Sequence, residues 1–276
     1  MSQLNLRGCR ISERDLDFLV EIVSPEFTDK RKLKMIIRED EDFRNTFIGD
    51  QRVFRRVMDD DEIFLKISPP LFFEILLRKA VNDLEKVSYT LERTRTMSIP
   101  VFDTKDVVDL LTKQSLLVYL ADMLSSFTRI ESYAISFRGK KSIWYKIRFS
   151  DLDILSLMSF CDVVEDEYRL GFYKRIADIC LFILGLFPDY VEREYRYPFS
   201  GELRPQIPGK VRISPADYEK EGRKFYRLAA EHQSAKEMEL SEVFWALHGN
   251  FQQAKKPLNF IAEHYLKYKK HRFFGP

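Results

Sequence analysis

Two side chains in the C-terminal part of the chain have the chemistry to cleave a phosphodiester bond together. Arg227 and His232 are separated by four residues in a segment of helical pattern. A histidine can act as general acid or base near neutral pH, and an arginine can stabilise the charge of the reacting phosphate. A dimer would supply a second copy of the pair. The same residues also fit a simpler interpretation, an exposed arginine near a histidine at a helix end.

The R-x4-H spacing of Arg227 and His232 resembles that of ribonucleases of the HEPN family, whose fold is all-helical. The resemblance implies RNA cleavage with these two residues as the candidate catalytic groups. The family often has a polar residue after the arginine, whereas this chain has Leu228. A helical ribonuclease is therefore one alternative function.

The C-terminal segment combines basic and aromatic side chains and is a candidate surface for an anionic partner. Lysine and arginine can contact phosphates, while aromatic rings can stack on bases. Basic residues at the end of a helix also complement its dipole, and the phenylalanines could pack against the protein itself or against a partner chain. Nucleic-acid binding is a second alternative. The candidate binding residues are Lys267, Lys269, Lys270, Arg272, Phe273 and Phe274.

No residue pattern predicts a metal or cofactor site. The spacing of His232, His248 and His264 is not that of ligands on one helix face. The three cysteines are odd in number and widely spaced, which indicates free thiols in a reducing compartment. We therefore expect no cofactor and no metal.

The composition is typical of a folded protein with a large apolar core. The 276 residues include 23 Phe and 13 Tyr, and the hydrophobic fraction is 45%. The 45 basic and 43 acidic side chains leave a net charge of +2, whereas nucleic-acid-binding proteins usually carry a strongly basic face. The N-terminus has no signal-peptide core, and the most hydrophobic run, 176–187, is shorter than a membrane span. We expect a cytoplasmic protein without membrane association.

Signals for helix starts recur along the chain. Ser12 and Ser214 are each followed three residues later by an aspartate, which is the pattern of a capping box. Ser68 precedes two prolines, which favour the first turn of a helix. Ser115 is a candidate cap for a helix over 116–127. These signals predict a chain that is mainly helical.

One segment changes from the helical to the strand period. Tyr133, Ile135 and Phe137 alternate with other residues before a short loop that contains a glycine, and the same alternation continues after it. This pattern predicts a β-hairpin over about 132–149, and segment 88–101 is a candidate third strand. The predicted fold is mainly α, with helical-bundle or helical-hairpin packing and one small β-hairpin.

Prolines and glycines concentrate in segment 188–213, which predicts an extended crossover or linker. The predicted organisation is a mainly helical body over 1–187 that includes the hairpin, then the crossover, then a three-helix unit over 214–276.

Within the three-helix unit, a small–aromatic–small–large series is formed by Gly249, Phe251, Ala254, Leu258 and Ile261. It resembles the helix-pair junction of a tetratricopeptide repeat, where a short side chain lets two helices approach and a ring fills the gap. The resemblance implies a helix pair at this position. Pro257, inside the second helix, departs from the family pattern.

Function is predicted mainly by exclusion. The chain has no catalytic motif as long as the tetratricopeptide-like series. Its charges are balanced, and its predicted helices carry many aromatic residues. We expect an interaction or regulatory protein without catalytic activity, which binds a protein partner or a second copy of itself. The ribonuclease and the nucleic-acid-binding module remain the alternatives.

Overall fold

The computed structural model describes residues 11–87, 89–93, 98–128, 133–138, 144–149, 153–195, 203 and 212–274. Helices predominate in these ranges, and the predicted mainly α fold is confirmed. The chain divides into two compact units. The first unit comprises residues 1–128 with 263–267, and the second comprises 129–262 with 268–276.

This division lies near residue 128, whereas the sequence patterns predict a boundary after 187. The start of the predicted crossover is helical, over Pro188–Tyr195, and most of the remainder of 188–213 lies outside the described residues. The predicted three-part organisation therefore stays a prediction.

The first unit is built around one long apolar helix. Its elements are α1 (Glu13–Val23), α2 (Lys30–Glu39), α3 (Glu41–Ile48), α4 (Gln51–Asp59), α5 (Ile63–Lys66), α6 (Pro69–Leu84), β1 (Thr90–Arg93), β2 (Ser98–Val101), α7 (Thr104–Leu111) and α8 (Gln114–Ser126). Most residues of α6 are buried, and α3, α4, α7 and α8 pack against it. A helix that is apolar on nearly all sides is expected at the centre of a core.

The predicted capping signals at Ser12 and Ser68 are confirmed, and one carboxylate joins them. Asp15 is fully buried, and its carboxylate accepts hydrogen bonds from the hydroxyls of Ser12 and Ser68, each at 2.8 Å. The Ser68 backbone N–H also donates to it, at 2.6 Å. The starts of α1 and α6 are thus held together by a buried carboxylate whose hydrogen bonds compensate its loss of water.

The predicted cap at Ser115 is wrong. Helix α8 begins at Gln114, so Ser115 lies inside its first turn. The Gln114 side chain accepts a hydrogen bond from Arg78 at 2.9 Å. Local sequence patterns do not predict such a tertiary contact. Segment 88–101 also differs from the prediction, because its described residues include the antiparallel pair β1–β2 instead of a single third strand.

The second unit contains the predicted hairpin and the longest helix. Its elements are β3 (Tyr133–Arg138), β4 (Trp144–Phe149), α9 (Ile154–Cys161), α10 (Asp166–Leu186), α11 (Pro188–Tyr195), α12 (Pro215–Glu231), α13 (Gln233–Glu237), α14 (Ser241–Gly249), α15 (Phe251–His264) and α16 (Lys270–Phe273). Strands β3 and β4 are antiparallel, which confirms the strand pairing predicted for the hairpin over about 132–149, while its loop, 139–143, lies outside the described residues. The capping box at Ser214 is confirmed as well.

Helices α10 and α12 form the centre of the second unit. Between them, the buried carboxylate of Asp178 accepts hydrogen bonds from the Tyr226 hydroxyl at 2.9 Å and the Lys174 ammonium at 2.6 Å. This buried charge is therefore both paired and hydrogen-bonded, as a charge in an apolar core must be.

The close approach predicted at Gly249 is wrong, because a Cβ there would meet no atom within 4 Å. The approach occurs at Gly222 of α12, where a Cβ would lie 2.6 Å from the Phe251 ring and 2.9 Å from Cys180 Cβ. Phe251 is buried and fills a gap between helices, as predicted, but the glycine that admits its ring comes from a distant part of the chain.

Candidate functional site

His232 is held by backbone groups at a helix junction. Its Nδ1 accepts a hydrogen bond from the Ser234 N–H at 3.2 Å, which caps α13. Because Nδ1 accepts, the proton of the neutral ring is on Nε2, which donates to the Asp166 carbonyl at 2.9 Å. The side chain is only 7% exposed. Each ring nitrogen therefore makes one hydrogen bond, and together the two bonds link the start of α13 to the start of α10.

Arg227 has a different environment. Its side chain is 51% exposed, and its Nε lies 3.8 Å from a carboxylate oxygen of Glu231 one turn later. The contacts that the structure gives to Arg227 and to His232 are with different partners. The described geometry thus does not join the two residues predicted as a catalytic pair.

The two phenylalanines of the predicted binding tail are core residues. Phe273 and Phe274 are 7% and 5% exposed, and the Phe274 ring lies 5.1 Å from that of Phe182. Lys270 donates a hydrogen bond to the Leu186 carbonyl at 3.0 Å, at the C-terminal end of α10, where a cation complements the helix dipole. The tail is packed against its own unit, and these two rings are not available to stack on bases.

The remaining candidate residues of the tail lie nearer the surface. Lys267 and Arg272 are exposed, and Lys269 is half-buried. Tyr268 is the most exposed aromatic residue among those that the structure describes, at 89%.

The histidines and cysteines do not form a reactive cluster in the described ranges. Within those ranges, no group of three His, Cys, Asp or Glu side chains is placed to hold a metal ion. Cys161 and Cys180 are free and buried, and burial raises the pKa of Cys161 to about 12 and also raises the pKa of Cys180. Because the thiolate is the reactive form, neither thiol is a nucleophile near neutral pH.

A surface that the sequence analysis did not identify lies along α12 and α14. The Ser241 hydroxyl donates to the Ala230 carbonyl at 2.8 Å, and Arg223 Nε donates to the His248 carbonyl at 3.2 Å. A second hydrogen bond joins the same two residues, because His248 Nδ1 donates to the Arg223 carbonyl at 2.9 Å. These bonds pair the start of α14 with the end of α12, so the two helices are antiparallel.

Trp245 is the central residue of this surface. It is 43% exposed, although its neighbour Phe244 is fully buried against Tyr226. The Trp245 ring packs edge-to-face with the ring of His248, with 5.7 Å between centroids. Since α12 and α14 are antiparallel and Arg227 follows Arg223 by one turn, Arg227 lies at the level of Trp245.

The sequence carried a weak signal for this exposure. Val243, Phe244 and Leu247 follow the helical period and are buried, whereas Trp245 falls between them on another face of α14. In an apolar run the tryptophan is easily taken for a core residue, because only the neighbouring helix decides which face is covered.

No protein-family model, no curated protein and no solved structure matches the chain. Among the described residues, no helix combines the length and the apolar character needed to cross a membrane.

Proposed function

We propose that the chain is a protein-interaction protein that binds a segment of a partner through the Trp245 surface. This surface consists of Trp245 and His248 on α14 and of Arg223 and Arg227 on α12. The observation that carries the proposal is a large aromatic side chain that is exposed at a helix pair and packed against a histidine fixed by two reciprocal hydrogen bonds.

The residue types of this surface are those that dominate binding energy at protein interfaces. Tryptophan and arginine are enriched among residues whose truncation costs the most affinity. Trp245 offers a large contact area with few rotatable bonds, and the edge-to-face contact with His248 restricts its ring before binding. Restricting a side chain in advance reduces the entropy lost on association.

The two arginines on the adjacent helix α12 favour a partner segment with an acidic residue. Arg223 uses Nε to bond the His248 carbonyl and forms no ion pair with any residue that the structure describes. The pair between Arg227 and Glu231 is half-exposed and 3.8 Å long, so it stabilises little and can be exchanged for a partner carboxylate. We propose a segment that carries Asp or Glu beside an aromatic or aliphatic side chain.

A protein segment fits this surface better than a nucleic acid does. Glu231 and Glu242 are exposed on the same two helices, and the whole chain carries a net charge of only +2. A nucleic-acid-binding surface needs an excess of cations because phosphate neutralisation supplies much of its affinity. The occupied ring nitrogens of His232 also do not support the ribonuclease alternative.

A display library of random peptides tests the proposal on the full chain. We expect selected peptides to carry an acidic residue beside an apolar one, and their affinity to fall about tenfold or more in Trp245→Ala and Arg223→Ala. Fluorescence adds a direct measurement, since the chain has two tryptophans and Trp144→Phe leaves only Trp245. Its emission should shift to shorter wavelength when a peptide covers the ring.

The matched control is Tyr190→Ala, which removes another exposed aromatic side chain, on α11, and should leave peptide affinity unchanged. A short single-stranded RNA serves as the competing ligand. The proposal is wrong if no peptide is selected or if affinity does not depend on Trp245. Binding of RNA that depends on Trp245, without binding of peptides, would assign the surface to a nucleic acid instead.

A further inference from the structure

Three cationic side chains lie along one face of α12. Lys220, Arg223 and Arg227 follow one another at the spacing of neighbours on a helix surface, and all three are exposed. We call these three residues the α12 cationic stripe. The stripe spans about 10 Å of helix, and it contains both arginines of the Trp245 surface.

The nearby carboxylates of α12 do not neutralise the start of this stripe. Glu219 accepts a hydrogen bond from Gln252 on α15, and Glu221 pairs with the lysine three residues later, at 3.2 Å. In the part of the chain that the structure describes, Lys220 and Arg223 have no ion-pair partner. The stripe therefore has an excess of positive charge.

Arg223 is positioned before any ligand binds. Its Nε donates to the His248 carbonyl at 3.2 Å, and its two terminal nitrogens bond no described residue. These two nitrogens present parallel N–H groups that match two oxygens of a carboxylate or a phosphate. Arg227, one turn later, has the exposed contact with Glu231 at 3.8 Å, which a stronger anion can replace.

We infer that the bound partner segment carries a phosphorylated side chain, whose phosphate binds the α12 cationic stripe while an adjacent apolar residue contacts Trp245. The inference rests on the proposed function, since it specifies the acidic group of the segment. A carboxylate carries one negative charge, whereas a phosphate monoester near neutral pH carries nearly two and has three strong acceptor oxygens. Two arginines and a lysine on one helix face match this larger charge, and clustered arginines are a common means of recognising phosphorylated segments.

A single phosphate monoester fits the stripe better than a nucleic-acid backbone does. The affinity of a nucleic acid depends on cations at many successive phosphates. The stripe extends for only about 10 Å, and exposed carboxylates lie at both ends of α12, Asp217 in its first turn and Glu231 in its last. A phosphorylated side chain needs only a cluster of this size.

Two synthetic peptide libraries screened against the full chain test the inference. They share random flanking positions and differ at one fixed central residue, which is phosphoserine in one library and glutamate in the other. Each selected sequence is then synthesised in both forms, and fluorescence anisotropy gives the two dissociation constants. We expect the phosphorylated form to bind about tenfold or more tightly. The serine form, measured with inorganic phosphate in solution, should bind no better than the serine form alone.

Substitutions in the stripe test whether α12 causes this preference. Lys220→Gln removes one charge at an exposed position, where the fold tolerates the change, and should reduce the preference for the phosphorylated form about threefold or more. Arg223→Gln should reduce it further, because the paired N–H groups are lost. The matched control is Lys236→Gln, which removes an exposed lysine of α13 and should leave the preference unchanged. Circular dichroism verifies that all three variants are folded.

The outcomes separate this inference from the peptide-binding proposal. Equal affinity of the two forms, in sequences whose binding depends on Trp245, contradicts the inference and leaves the peptide-binding proposal standing. A preference that neither Lys220→Gln nor Arg223→Gln reduces contradicts it as well, because the phosphate would then bind elsewhere. If neither library yields a binding sequence, both proposals are wrong. A single-stranded RNA that displaces every phosphopeptide and depends on the same residues would assign the stripe to a nucleic acid.

Discussion

At the scale of single residues, burial and hydrogen bonding decide what a reactive side chain can do. His232 has the chemistry of a general base, but the lone pair of its neutral ring already accepts the Ser234 N–H, and its proton is donated to Asp166. A ring in this state lacks a free acceptor for a substrate proton. The geometry assigns it the role of a helix cap and a link between α13 and α10.

This role leads to a prediction for His232→Ala. The variant loses the cap and the link to Asp166, and we expect the free energy of unfolding to fall by about 1–2 kcal/mol. His232→Asn should recover part of this loss, because asparagine is a good N-cap but cannot make the second contact in the same way. Urea denaturation monitored by circular dichroism measures both changes.

Incubation with labelled single-stranded RNA distinguishes this role from the ribonuclease alternative. Cleavage by the wild type that is lost in both variants, while both keep the wild-type stability, would show that His232 is catalytic.

At the scale of the elements, two glycines that look alike in the sequence have different roles. Gly222 admits the Phe251 ring between α10, α12 and α15, whereas Gly249 ends α14 with open space around it. The difference arises because a helix surface needs a missing side chain only where another element fills that volume.

We therefore predict opposite effects for two alanine substitutions. Gly222→Ala places a methyl group within 3 Å of Phe251 and Cys180, and should lower the free energy of unfolding by about 1–3 kcal/mol. Gly249→Ala meets no atom, and should be neutral or stabilise by up to about 1 kcal/mol. Chemical denaturation of both variants checks the pair. Equal effects would mean that the helix packing around Gly222 is not as described.

At the scale of the whole molecule, contacts between distant parts of the chain make stability depend on pH. In the first unit, Asp83 on α6 accepts a hydrogen bond from the Tyr265 hydroxyl at 2.7 Å and pairs with Lys79. Burial alone would raise the pKa of Asp83, but the bonds from Lys79 and Tyr265 outweigh it and hold that pKa below its ordinary value of 3.8. A carboxyl with a lowered pKa stabilises the fold in its charged form.

For Asp83→Asn we predict a loss of about 1 kcal/mol in the free energy of unfolding at neutral pH, a modest value because the carboxyl is partly exposed. The loss should be constant above the unfolded pKa of about 3.8, and should shrink as the pH falls below it and the wild-type carboxyl is protonated. Tyr265→Phe should show a smaller loss of the same kind. Thermal unfolding between pH 7 and pH 3 measures it, and a loss independent of pH would contradict this account.

Local chemistry along the chain was sufficient to predict most of the secondary structure. The capping boxes at Ser12 and Ser214 and the Ser68 helix start depend on residues three or fewer positions apart, and each formed as predicted. The pairing of β3 with β4 follows from the alternation in the two segments and the short loop predicted between them. Such features need no partner from elsewhere in the fold.

Only the tertiary structure decided which side chains are available to a ligand. Phe273 and Phe274 are buried, whereas Trp245 is exposed. The His232 ring is hydrogen-bonded to the carbonyl of Asp166, which belongs to another helix. The reason is that periodicity tells which residues share a face of a helix, whereas the segment that covers this face can come from any distance along the chain. The sequence of this protein is sufficient to predict most of its helices and strands. The Trp245 surface, in contrast, forms only when the helices pack together.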